Sequence, residues 1–158
     1  MSTPSPFHPV AFAMQGVINL SNELEREVAR LLGVNLTDYR ALSTLASTGE
    51  VAVGHLATTL GATPATTTAI VDRLESRGLV TRQRSEDDRR QVRVSVTPDA
   101  IQRIIGLLVS LMRGVNEYVV GLSEHDQGVV QAFLVAVDEH MRDHLAALAA
   151  TEGERWTA

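Results

Sequence analysis

The spacing of apolar residues changes period twice along this chain, and the changes divide it. From Val10 to Leu32 the apolar positions Met14, Val17, Ile18, Leu24, Val28, Leu31 and Leu32 recur at helical spacing, and Gly33 ends the run, which predicts an amphipathic helix. Thr37, after Leu36, has the form of an N-cap and opens a second helix over Asp38–Ser47 that carries Leu42 and Leu45. Residues 53–60 predict a short helix with Leu56 and Leu60 on one face, broken by Gly61. Thr63 and Pro64 then restart the chain as N-cap and first helical residue, since a proline there loses no helical hydrogen bond, and Gly78 closes this helix near Arg77. Two short helices joined by a glycine-containing turn are a helix-turn-helix signal.

After Gly78 the period falls from 3.6 to 2. Residues 79–85 (LVTRQRS) and 91–97 (QVRVSVT) predict two strands of a hairpin with the charged tip Glu86–Arg90 between them. Thr97, Pro98 and Asp99 repeat the cap, proline, acid pattern and begin a long helix to about Val120. A last helix starts at Leu122–Ser123, with Asp126 three residues on, and runs to about Ala150. Residues 1–9, with three prolines and two serines, predict a flexible lead-in, and residues 151–158 a frayed tail. The expected fold class is mainly α. Residues 34–97 are expected to form a winged helix-turn-helix lobe with a β-hairpin wing, flanked by the N- and C-terminal helices, 10–33 and 98–150. Dimerisation is expected because Ile101, Ile104, Ile105, Leu107, Leu108, Val109, Leu111, Met112, Val115 and Val119 lie nearly all round helix 98–121. A helix that apolar needs burial on more than one side, from a second subunit or from an unusually buried monomer core.

Composition bounds the function. A chain of 158 residues, 44% hydrophobic and 21% charged, is long enough for one domain with a core, alone or with an appendage. It has no cysteine, so it holds no disulfide and no thiol switch. The N-terminus has no signal-peptide pattern, and the most apolar window, 104–112 between Arg103 and Arg113, is too short to span a bilayer, so a soluble, cytoplasmic protein is expected. The phosphate-loop, dinucleotide-binding, zinc-protease and serine-hydrolase patterns are all missing, so neither an enzyme nor a cofactor is expected.

The net charge of −5 argues against wholesale nucleic-acid binding, but the charge is uneven. Residues 64–97 hold seven arginines and five acids, a net of +2, which leaves −7 on the remainder. A locally basic segment on an acidic body suits a focused anion-binding surface. On helix 64–77, Thr67, Ile70, Val71 and Leu74 form a buried stripe, leaving Ala65, Thr68, Ala69 and Asp72 opposite, flanked by Thr66 and Arg73. Small residues at a helix start can approach base edges, with hydroxyls for hydrogen bonds and methyls for thymine. They also fill tight helix corners, and the helix alone leaves both readings open. The hairpin favours the first: Arg89 and Arg90 are expected to project from a tip directly after this helix, where they can reach phosphates or a narrow minor groove. Asp88, two residues before Arg90, is placed to hold its guanidinium. His140 and His144, four residues apart on the last helix beside Glu139 and Asp143, have the spacing of a metal pair or of an exposed polar face.

Residues 88–97 resemble the wing signature of the multiple-antibiotic-resistance regulator (MarR) family, with Asp88, Arg90, Val96 and Thr97 at the signature positions. Residues 67–82 (TTAIVDRLESRGLVTR) resemble that family's recognition helix and its exit into the wing, and residues 36–46 (LTDYRALSTLA) its second helix. The resemblance extends over about residues 10–148. It implies a homodimer, with the helices 10–33 and 98–150 as its dimerisation region, binding an inverted-repeat operator in double-stranded DNA. It further implies a transcriptional regulator of the repressor kind, released by a small-molecule effector bound between the dimer helices and the winged lobe. The DNA-contacting residues would be Ala65, Thr66, Thr68, Arg73, Asp88, Arg89 and Arg90. The chain departs from the family at Ala69, where a basic residue is frequent. A metal-responsive regulator of the same fold and a winged-helix module that binds protein are the alternatives.

Overall fold

The computed structural model describes residues 7–84 and 92–155, with side chains to residue 151. Among these residues six helices and three short strands follow one another as α1 (Pro9–Leu32), α2 (Leu36–Thr48), β1 (Val51–Ala52), α3 (Val53–Leu60), α4 (Pro64–Ser76), β2 (Val80–Arg84), β3 (Val92–Val96), α5 (Pro98–Val120) and α6 (Glu124–Arg155). The backbone divides into two compact units, residues 1–108 and 109–158.

The first unit is built around one core. Leu42 and Leu45 of α2, Leu56 of α3, Ile70, Val71 and Leu74 of α4, Leu79, and Val94 of β3 have essentially no exposed surface. Val28, Ala29 and Leu32 of α1 and Ala100 of α5 close this cluster. The stripe expected on α4, Thr67, Ile70, Val71 and Leu74, is the buried one. Gly33, Gly61 and Gly78 adopt left-handed φ angles of 74°, 59° and 68°, a conformation that costs other residues roughly 1–2 kcal/mol. All three were expected as helix stops.

Several boundaries differ from the sequence reading. Asn35, not Thr37, caps α2: its Oδ1 accepts from the Asp38 backbone N–H at 2.8 Å. Asparagine outranks threonine as a cap, and moving the start back two residues lets Leu36 pack on the core. His8 caps α1 through Nδ1, so residues 8 and 9 belong to the helix start rather than to a loose lead-in. The hairpin is part of a three-stranded antiparallel sheet in the order β1-β3-β2. Two residues of β1, Val51 and Ala52, pair with Val94 and Arg93, too short a run to show a period of 2. The β2–β3 register sets Val80 opposite Val96, Arg82 opposite Val94 and Arg84 opposite Val92.

Thr97 caps α5 as expected, its Oγ1 accepting from the Ala100 N–H at 3.2 Å and donating to the Gly78 carbonyl at 2.8 Å. Along α5, Ile104, Leu107 and Leu108 lie partly buried on the core of the first unit. The second unit holds the rest of α5, the turn at 121–123 and α6. Ser123 and Asp126 form the expected cap, Ser123 Oγ accepting from the Asp126 N–H at 3.1 Å. Helix α6 continues to Arg155, past the expected end near Ala150. No helix among the described residues is long and apolar enough to cross a membrane.

Candidate nucleic-acid interface

The exposed face of α4 is built by its own start. Thr63 Oγ1 accepts from the Thr66 N–H at 3.1 Å and lies 2.9 Å from Thr66 Oγ1. Thr67 and Thr68 turn their hydroxyls back onto the Thr63 and Pro64 carbonyls, at 3.1 and 2.9 Å. Thr68 thereby presents a methyl group and oxygen lone pairs outward, with its proton engaged. Ala65, Thr66, Thr68, Ala69, Asp72 and Arg73 are exposed, so the structure brings Ala65, Thr66 and Thr68 together on one uncovered surface at the head of a capped helix.

Arg73 has a partner that sequence reasoning missed. Its Nε and Nη2 donate to both carboxylate oxygens of Asp38 on α2, at 2.9 and 2.6 Å. The Asp38 side chain is only 3% exposed and also accepts from Asn35 Nδ2 at 2.9 Å. The hydrogen bond that Arg73 donates to Asp38, with the charge of that carboxylate, holds the guanidinium above the ordinary arginine pKa. Arg73 therefore clasps α4 to α2. A bidentate arginine–carboxylate pair fixes orientation as well as distance. The available signal was the Asn35-x-x-Asp38 spacing, which places an acid inside the first turn of α2.

On the other flank Arg82 clasps α4 to the sheet. Its Nη2 lies 2.5 Å from Asp72 Oδ1, and its Nη1 lies 2.6 Å from Glu75 Oε2. Burial works against the charge on Arg82, but the hydrogen bonds to Asp72 and Glu75 outweigh it and raise the pKa. Arg93 lies on the other face of the sheet, its Nε 3.0 Å from Glu50 Oε1 but not aligned for a hydrogen bond. Three arginines of the basic segment are thus matched by acids of the lobe itself. Among the described residues of that segment, Arg77 and Arg84 are the arginines with no ion pair. Asp88, Arg89 and Arg90 lie outside the described residues. An open groove of about 680 Å³ runs between α4 and the sheet, lined by Ala52, Val53, Gly54, Thr68, Asp72, Arg82 and Val92.

Away from this lobe the helices carry exposed apolar side chains. On α1 they include Phe12, Val17 and Leu20, on α5 Leu111, Met112, Val115 and Tyr118, and on α6 Phe133, Leu134 and Leu145. His140 and His144 are exposed on α6. Among the described residues no three histidine or acidic side chains gather as a metal site would need.

Comparison with known proteins agrees with this geometry. The sequence model of the MarR family matches residues 34–92, from the start of α2 into β3. The uncharacterized HTH-type transcriptional regulator YfiV of Bacillus subtilis is 37% identical over 76 residues, 48% of this chain and 48% of that protein. The match thus spans about half the length of that relative. A crystal structure of a MepR variant from a multidrug-resistant S. aureus clinical isolate superposes with a TM-score of 0.68 at 15% identity, covering 87% of this chain and 99% of that one. A second S. aureus MepR variant, bound to an oligodeoxyribonucleotide, gives a TM-score of 0.56 at 15% identity over 85% of this chain and 99% of that one. At these identities the structural likeness is one of fold.

Proposed function

We propose that the chain, whose residues 34–92 match the MarR-family model, is a winged helix-turn-helix regulator of that family: a sequence-specific DNA-binding transcriptional regulator acting as a homodimer on an inverted repeat. The observation that carries the proposal is the uncovered head of α4. There Ala65, Thr66 and Thr68 stand on a helix fixed on one flank by Asp38–Arg73 and on the other by Arg82. Recognition helices read base edges with their N-terminal residues in the major groove, and small side chains permit that approach. Base reading falls to Ala65, Thr66 and Thr68. Arg73 acts mainly by holding the helix, and phosphate or minor-groove contact falls to Arg89 and Arg90, with Asp88 as the positioner of Arg90.

The dimer is supported by the exposed apolar side chains of α1, α5 and α6, since exposed apolar surface marks association sites. A repressor released by a small-molecule effector is the form of regulation that family membership favours, and a duplex-release screen with apolar and aromatic acids tests it. The DNA reading itself is tested by salt titration of anisotropy on specific and scrambled duplexes. If Arg90 neutralises one phosphate per subunit, Arg90→Ala weakens binding to both duplexes and makes the slope of log affinity against log salt shallower by roughly 1.8. Asp88→Ala also weakens binding, although it removes a negative charge. Thr68→Ala relaxes sequence preference with the slope nearly unchanged. An Arg90→Ala protein that binds like the parent, or an Asp88→Ala protein that binds more tightly, contradicts the assignment of the wing.

A further inference from the structure

Asp72 stands where a DNA-reading helix should not carry an acid. It lies on the same face of α4 as Ala65 and Thr68, one turn past Thr68, and its side chain is 59% exposed. Glu75, the next acid on the helix, is 41% exposed. Two uncompensated carboxylates on that face would meet the phosphates of a bound duplex. The strand next to the helix supplies the opposing charge from an unusual position. Val80, Arg82 and Arg84 alternate along β2 on the face that pairs with Val96, Val94 and Val92. Arg82 is therefore an arginine in an inward register, opposite the fully buried Val94. Its stem passes under α4, and its guanidinium reaches Asp72, Glu75 and, at 3.4 Å, the Thr68 carbonyl. Only 24% of its side chain is exposed, against 48% for Arg73.

We propose that Arg82 is a positioning and charge-masking residue for DNA recognition: it neutralises Asp72 and Glu75 from behind the reading helix and is not itself a DNA contact. The inference rests on the DNA-binding reading above. It assigns a use to the acids as well. Held by Arg82, they fix the turn of α4 that follows the reading residues, and without it they repel the duplex. Since bidentate arginine geometry serves both acids at once, lysine is a poor substitute at this position.

A double-mutant cycle on duplex affinity tests this, because coupling between residues that act as a unit appears as non-additivity. The four proteins are the parent, Arg82→Gln, Asp72→Asn/Glu75→Gln, and the triple variant, each measured on a specific and a scrambled duplex at fixed salt. Melting temperature is followed in parallel. In the parent background Arg82→Gln weakens binding on the order of tenfold, the effect of exposing two charges near phosphates. In the Asp72→Asn/Glu75→Gln background the same substitution changes affinity by no more than about twofold, a loss of about 0.4 kcal/mol. Arg82→Lys in the parent restores only part of the loss. An equal loss in both backgrounds overturns the inference, because Arg82 then touches DNA directly. An Arg82→Gln protein that binds like the parent overturns it too. If Arg82→Gln alone does not fold, the triple variant against Asp72→Asn/Glu75→Gln decides: near-equal affinity supports masking, and a tenfold loss contradicts it. A parent that binds no duplex at low salt overturns the DNA-binding reading and this inference with it.

Discussion

Asp38 is the residue whose importance the sequence hid most completely. An acid near a helix start reads as a surface cap or a dipole partner, whereas its partner is Arg73, 35 residues away, reaching it from α4. Long-range pairing of this kind leaves no periodic trace. Arg82 was more legible: it shares the parity of Val80 along β2, so the alternation that makes Val80 face the core places Arg82 inward as well. Asp38→Ala removes three accepted hydrogen bonds and leaves Arg73 half exposed to water. We expect a loss of roughly 1.5–3 kcal/mol, the usual range for hydrogen bonds to a charged group, read as a lower urea midpoint with unchanged slope. Tyr39 carries a pH prediction. Burial, with the nearby charge of Glu25, raises its pKa from the ordinary 10.0. The folded state therefore keeps the phenol proton more tightly than the unfolded state. Its contribution is fully present below pH 10 and is lost as pH rises toward the folded value. Tyr39→Phe should flatten the alkaline fall in melting temperature without altering it near neutrality.

At the scale of elements, the helix stops and the buried face of α4 were legible because glycine, proline and a 3.6-residue period act locally. Thr67, Ile70, Val71 and Leu74 are buried as their spacing requires, and the glycines at 33, 61 and 78 take the left-handed turns. The start of α2 was misplaced because two cap-forming residues on either side of Leu36, Asn35 and Thr37, compete, and packing of Leu36 decides between them. Strand β1 was missed because pairing with β3, rather than its own composition, makes Val51 and Ala52 a strand. Candidate-site legibility followed the same division: Ala65, Thr66 and Thr68 came from helix periodicity, whereas the clasps on either flank came only with tertiary structure. Helix α4, proposed as the reading helix, is the element most open to a local test. Thr63→Ala removes the hydroxyl that caps it, which costs roughly 0.5–2 kcal/mol. Because the first turn carries Ala65 and Thr66, we expect the specific duplex to lose more affinity than the scrambled one. An equal loss on both would show that the start of α4 does not read bases.

For the whole molecule, the sequence-level surplus of apolar residues on α5 appears in three dimensions as exposure: Met112 is 62% and Val115 51% exposed, and Ala100 is the one α5 side chain fully buried. Apolar helices left in this state associate. Sedimentation should give a dimer at micromolar concentration, and Leu111→Glu with Val115→Glu should shift it to monomer while the melting of the winged lobe persists. In the proposed dimer, two lobes related by a two-fold axis would place their α4 helices in successive major grooves. The central claim, a two-fold DNA reader, is tested most directly by selecting bound fragments from random duplexes and sequencing them. The account predicts an inverted repeat whose half-sites are centred about one helical turn apart, roughly 34–36 Å, and lose enrichment in the Thr68→Ala protein. Recovery of a single unrepeated half-site, or no enrichment at low salt, would contradict it.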